Sequence, residues 1–220
     1  MAHVSGDRLL VLTDSVDYHP WGYLGPALLL DLHNGRLVAE LRGERGAPMG
    51  NGRFLVGLQG YDVFDTWLHD RDGTLLTSWR SFGYYIPDPD STVRVIEQPN
   101  RTPPSTHVVR LLPDGGIERG PSLSAGRPPT PVVLADGTAM VLDQGVLRAF
   151  DWSLRGEEVA RLLSVEPNKL HLFPSRVRLE GDRLTVTVTE LRNLAQVQAV
   201  EPVQAVERNQ WTFACQQAGR

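Results

Sequence analysis

Short apolar runs alternate with polar positions along most of the chain, and glycine, aspartate or asparagine sits just before many of them. LLVLT, RFLVGL, TVRVIE, TAMVLD and LTVTVTE follow SGD (5–7), GNG (50–52), DPDS (88–91), ADG (135–137) and EGD (180–182). A turn residue leading into an alternating apolar run is the grammar of a hairpin entering a strand. A second series lies between these turns: DLHNGRLVAEL (31–41), DRDGTLLTSW (70–79), LPDGGIERG (112–120) and DWSLRGEEVARL (151–162). No segment reads as a helix. RGEEVARLLS has a helical composition but occupies a strand position after a repeated turn.

The turn glycines of the second series are Gly35, Gly73, Gly115 and Gly156, so successive spacings are 38, 42 and 41 residues by subtraction. The unit is therefore strand, turn, strand, loop, strand, turn, strand (a to d), repeating at about 40 residues, the length of one four-stranded propeller blade. The first series of turns joins a to b and the second joins c to d. The c strands include ALLLDL, TWLHD, HVVRLL and VLRAFDW, with LAQVQAV in the fifth repeat. Five b strands imply five blades in one all-β propeller domain over residues 1–220, with QWTFACQQ closing the last. A twisted β-sandwich of irregular hairpins accounts less well for two interleaved turn series of regular spacing.

The turns DLHNG, DRDG, LPDGG and DWSLRG resemble the Asp-then-Gly turns of quinoprotein-type and WD-type propeller repeats. The full WD signature, with its Gly-His and Trp-Asp dipeptides, is missing. The resemblance implies radially arranged blades with the a strands innermost; it carries no quinone or other cofactor with it. Propellers host many unrelated functions, so the architecture alone assigns none.

Composition narrows the classes. At 220 residues the chain suits one large domain or two small ones, and 41% hydrophobic residues is ordinary for a packed protein. No apolar run approaches bilayer length. The start MAHVSGDRLLVL lacks the features of a secretory signal, and a lone Cys215 excludes an internal disulfide, so a cytoplasmic protein is expected. A net charge of −4 argues against general nucleic-acid binding. Of 22 basic residues only Lys169 is lysine. Codon bias in a GC-rich, bacterial genome explains that composition; arginines kept for bidentate ion pairs are the second reading.

In a propeller the b–c and d–a connections share one face, and the a–b and c–d turns share the other. The turn face is expected to do little beyond reversing the chain. The loop face collects aromatics on a rigid scaffold, where binding usually resides. DSVDYHPWGYLGP carries Asp17, Tyr18, His19, Trp21 and Tyr23; QGYDVFDTW carries Tyr61, Asp62 and Asp65; RSFGYYIPDPD adds Tyr84 and Tyr85; EQPNRTPPSTH adds Arg101 and His107. All five tyrosines fall in three neighbouring segments, and aromatic and arginine side chains are what interface hot spots favour. The same aromatics are also able to fold back as plugs over the blades.

Catalytic signatures are sparse. His19 with Asp17, or His69 with Asp70 and Asp72, offers metal-ligand types, but no HExxH or equivalent spacing gathers two histidines on one element. No G-x-S-x-G elbow is present, and Cys215 lies in an apolar run. Asp17, Asp62 and Asp65 are the best candidates for paired-carboxylate chemistry. The sequence thus favours a non-catalytic, protein-binding propeller without a cofactor. Its partner is a protein of basic character, and an inhibitor such as an immunity protein against a bacterial toxin is one concrete form. A carbohydrate-binding or sugar-active propeller is the alternative, since aromatics flanked by acids suit sugars. Lectin propellers repeat one site in every blade, whereas these loops cluster in the first three repeats. Oligomeric state is left open.

Overall fold

The computed structural model describes residues 1–13, 17–19, 22–24, 26–59, 64–80, 82–97, 106–124, 130–143, 145–162, 176–189 and 208–214, with the backbone alone at 17–19, 22–24, 59, 64, 188–189 and 208–209. Among them every regular element is a strand. The first sheet contains β1 (Ala2–Ser5) and β2 (Arg8–Leu12). A small hairpin, β3 (Asp17–His19) with β4 (Gly22–Leu24), then precedes β5 (Pro26–Asp31) and β6 (Leu37–Arg42). The second sheet is β7 (Arg45–Pro48), β8 (Phe54–Gln59), β9 (Phe64–His69) and β10 (Leu75–Arg80). The third is β11 (Phe82–Pro87), β12 (Val93–Glu97), β13 (Thr106–Leu111) and β14 (Ile117–Leu123). The fourth is β15 (Val132–Val133), β16 (Ala139–Asp143), β17 (Val146–Phe150) and β18 (Glu157–Arg161). The fifth holds β19 (Arg176–Glu180), β20 (Arg183–Thr189) and β21 (Arg208–Ala214).

Each of the first four sheets is an antiparallel meander in chain order, the unit of a propeller blade. The protein is thus an all-β propeller type, with four complete blades and a three-stranded fifth sheet among the described residues. Both series of turns fall where the spacing places them, and Gly35, Gly73, Gly115 and Gly156 all have positive φ, from +68° to +89°. RGEEVARLLS supplies β18, a strand. The C-terminal end differs from expectation. β21 pairs with β20 in an unbroken register from Arg183↔Ala214 to Thr189↔Arg208, taking the place assigned to LAQVQAV, which lies outside the described residues.

The chain divides into two compact units, Met1–Gly126 with three sheets and Arg127–Arg220 with two. In the first unit β7 runs beside both β1 and β11, so the leading strands of consecutive blades adjoin. Blades pack face to face. Leu10, Leu12, Ala27, Leu29 and Leu41 of the first blade meet Phe54 and Val56 of the second. Leu55 and Leu68, on the opposite face of the second blade, meet Val93, Val95 and Val109 of the third. Because β8 is covered on both faces, its sequence FLVGL is continuously apolar rather than alternating. In the second unit Met140, Leu142 and Leu147 pack on Val177, Leu184 and Val186, with Trp211 and Phe213 of β21 against them.

The outer strands share one irregularity. β6, β10, β14 and β18 each carry a register shift against the neighbouring strand, whereas β21 carries none. Bulges twist an exposed edge away from further pairing, so the outermost strand of each complete blade is a poor template for edge-to-edge association.

Candidate functional site

The turn end of the first unit is more than chain reversal. Short Asx turns fix its loops: the carboxylates of Asp31, Asp72 and Asp114 accept the backbone N–H of His33, Thr74 and Gly116 at 2.8–2.9 Å. Those N–H groups hold the Asp31 and Asp72 carboxyls below the usual carboxylate range. Between the turns run arginine latches. Arg8, first residue of β2, donates Nε to the Arg71 carbonyl of the next blade at 2.8 Å and Nη1 to Asp31 at 2.9 Å. Arg53, one blade on, donates Nη1 to the Pro113 carbonyl of the third blade at 2.9 Å and lies 3.4 Å from Asp70. Arg71 returns Nη2 to Asp7 at 2.6 Å. Arg8 and Arg53 each reach more than one acceptor, which the forked guanidinium allows.

The loop end is built differently. The first b–c connection is not an irregular loop but the β3–β4 hairpin, in which Asp17 pairs with Leu24, Tyr18 with Tyr23 and His19 with Gly22. β4 lies along β8 of the second blade. The register sets the backbone of Tyr18 directly opposite that of Tyr23. Trp21, Tyr61, Asp62 and Arg101 lie outside the described residues. Asp65 is in β9 rather than in a loop, with Arg80 Nε 3.7 Å from its Oδ1. His107 is likewise within β13, its Nδ1 2.9 Å from the Gly120 carbonyl. His69, beside the c–d turn of the second blade, is half-buried with Nδ1 3.0 Å from the Gly73 carbonyl, and burial lowers its pKa.

Tyr84 and Tyr85 require a correction of place: both are in β11, not in the connection before it. The ladder runs Gly83↔Ile96 and then Ile86↔Arg94, so the two tyrosines face Val95 alone in a β-bulge. Tyr84 carries φ +53°, the left-handed value that such a bulge normally gives to glycine. Holding an aromatic residue there costs on the order of 1–3 kcal/mol. The bulge turns Tyr85 inward. Its hydroxyl lies 2.5 Å from Thr66 Oγ1, and Thr66 Oγ1 donates to the Phe82 carbonyl at 3.3 Å, so Tyr85 donates to Thr66. Burial pushes the phenol pKa well up, a shift opposed by the Thr66 bond and the Arg45 guanidinium and reinforced by the Asp65 and Glu44 carboxylates. Gly57 makes the room, since a Cβ there would overlap the Tyr85 hydroxyl. Tyr85 is consequently a seam between the second and third blades. Thr66 and Gly57 gave no signal in the sequence, because their role exists only across two blades.

Among the described residues no group of three or more His, Cys, Asp and Glu side chains converges on a point. The described part of the loop end is a set of charged pairs, Glu44 with Arg45 and Asp65 with Arg80, around the tyrosine bulge.

No family model and no curated protein matches the chain. Solved structures with similar folds include the β-propeller domain of the Trilobed protease from Pyrococcus furiosus, at 9% identity and TM-score 0.49, covering 99% of this chain and 68% of that one. Kluyveromyces lactis Hsv2 is 12% identical with TM-score 0.46, covering 92% of this chain and 64% of that one. Chaetomium thermophilum Sqt1, solved bound to the N-terminus of ribosomal protein L10, is 14% identical with TM-score 0.44, covering 91% of this chain and 58% of that one. At these identities the likeness is one of fold alone.

Proposed function

We propose that the protein is a non-catalytic interaction module that grips a protein partner with the loop end of its first three blades. The observation that carries this reading is the β3–β4 hairpin, whose backbone register sets Tyr18 opposite Tyr23 and whose second strand runs beside β8. A backbone already held in a hairpin loses less entropy on binding than a free loop, and Pro20 between its strands and Pro26 after them restrict the segment further. In the sequence Trp21, Tyr61 and Arg101 belong to the connections of the same end, and they complete the proposed interface. Asp17, Asp62 and Asp65, on a chain of net charge −4, suit a basic partner and would speed its encounter. In its specific form the reading is a cytoplasmic inhibitor, such as an immunity protein that neutralises a bacterial toxin.

The test is capture from the native cell with the wild type and with a Trp21→Ala/Tyr61→Ala double variant shown by circular dichroism to fold. One stoichiometric protein, lost on mutation, supports the reading. Binding of glycans in place of any protein sinks it in favour of a sugar-binding propeller.

A further inference from the structure

Two Asn-Gly dipeptides occur in the sequence, Asn34-Gly35 and Asn51-Gly52, and the fold gives them opposite surroundings. In such a pair the glycine backbone nitrogen can attack the asparagine Cγ, because glycine has no Cβ to obstruct the approach. Asn34 and Gly35 are both exposed. A Cβ built on Gly35 would meet nothing within 4 Å among the described residues, so the turn has room for the ring to close. The Arg36 N–H donates to Asn34 Oδ1 at 2.8 Å, the atom on which negative charge develops when Cγ is attacked. The Gly35 N–H donates to the Asp31 carbonyl at 2.8 Å, a bond in an exposed turn that opens readily. Asn51 is exposed as well, but Gly52 is buried, its N–H donates to Ser5 Oγ at 3.1 Å, and a Cβ on it would overlap Arg71. Asp72-Gly73 also has the glycine, yet the Thr74 N–H keeps its carboxyl below the usual range, and an ionised carboxylate is a poor electrophile.

We propose that Asn34 is a modification site, at which the chain converts itself to isoaspartate and thereby weakens the latch between the first and second blades. The Gly35 nitrogen gives up its proton to solvent and bonds to Asn34 Cγ. The Cγ–Nδ2 bond then breaks, and the amide nitrogen takes a proton from water and leaves as ammonia. Water opens the resulting succinimide at either carbonyl, giving aspartate or isoaspartate. Water enters, ammonia leaves, and nothing is oxidised or reduced. Isoaspartate routes the main chain through Cβ and Cγ, which lengthens the 31–36 turn. Asp31 closes that turn with its carbonyl and Oδ1, and holds Arg8 Nη1 with Oδ2 at 2.9 Å. A longer turn displaces this carboxylate, and the new carboxylate at 34 repels it, so Arg8 loses an acceptor.

The experiment ages the purified full chain in warm, mildly alkaline buffer, folded and in urea. Trypsin then separates the two sites into peptides 9–36 and 46–53, in which mass spectrometry and an isoaspartate methyltransferase assay read conversion. In urea both sites are expected to react at similar rates. In the fold Asn34 should accumulate isoaspartate while Asn51 trails it by about tenfold or more, the factor that opening a buried bond imposes. Asn34 that stays intact in the fold while the chain in urea converts overturns the site, as does Asn51 keeping pace with it. The urea midpoint of the aged wild type should fall below that of the fresh protein. Aged Asn34→Gln, whose longer side chain closes a ring poorly, should hold its midpoint, and so should aged Arg8→Ala, whose latch is already gone. Full conversion of Asn34 with an unchanged midpoint, or an equal fall in Arg8→Ala, overturns the weakening of the latch.

Discussion

Asp88 and Arg94 meet inside the third blade with both side chains 1% exposed. Arg94 Nε donates to Oδ2 at 2.9 Å and Nη2 to Oδ1 at 2.8 Å, a two-pronged ion pair that ties the a–b turn to β12. Removing one partner strands a buried charge. Asp88→Ala is expected to cost about 3–5 kcal/mol, and an Asp88→Leu/Arg94→Met double variant to recover most of it. Urea unfolding midpoints of the three proteins measure this; a double variant no more stable than Asp88→Ala would mean the pair holds the turn itself.

The Tyr85 clamp obeys a similar asymmetry. Thr66→Val leaves a buried phenol without its acceptor and should lower stability by about 1–3 kcal/mol. Adding Tyr85→Phe should restore part of the loss, because both polar groups are then gone. Equal stability of Thr66→Val and wild type would show that the bond does not close the seam.

Arg8 and Arg53 latch neighbouring blades through guanidinium groups that serve two acceptors at once. Lysine presents a single point charge and has no such fork. Arg8→Lys is therefore expected to lose nearly as much stability as Arg8→Ala, about 1–2 kcal/mol, with Arg53 the milder site because it is more open to solvent. Chemical denaturation of the four single variants distinguishes this from a simple charge effect, in which lysine would rescue.

Burial lowers the pKa of His3, helped by the N-terminal charge, and of His69. Burial disfavours the charged form of both in the fold, while the unfolded chain takes up protons near the ordinary value of 6.5. The stability they contribute is complete above that pH and is lost as the pH falls below it toward the folded values. His3 is the sharper case, since its Nε2 is buried with no hydrogen-bond partner among the described residues. Melting curves between pH 7.5 and pH 5 should show a decline that a His3→Gln/His69→Gln variant lacks. The Asp31, Asp72 and Asp151 carboxyls, held low by turn N–H groups or, first for Asp151, the Ser153 hydroxyl, add a separate acid loss below the ordinary value of 3.8.

The sequence by itself determined the blades. Strand pattern depends on side-chain period and turn chemistry, both local properties, so turns such as Gly6-Asp7 and Asp72-Gly73 located the strands on either side without knowledge of their neighbours. The same local logic found the aromatic stretch 17–24, although not that its backbone closes into a hairpin. Only the tertiary structure decided what lies between blades. Tyr84 and Tyr85 are adjacent in sequence and indistinguishable by type. Tyr84 takes a left-handed backbone and Tyr85 is clamped to Thr66, because the two share the place opposite Val95 in a bulge. Arg8 and Arg71 are 63 residues apart and meet only because consecutive blades stack with their turns in register. Contacts of that kind have no period along the chain, so they are legible only once the blades are packed.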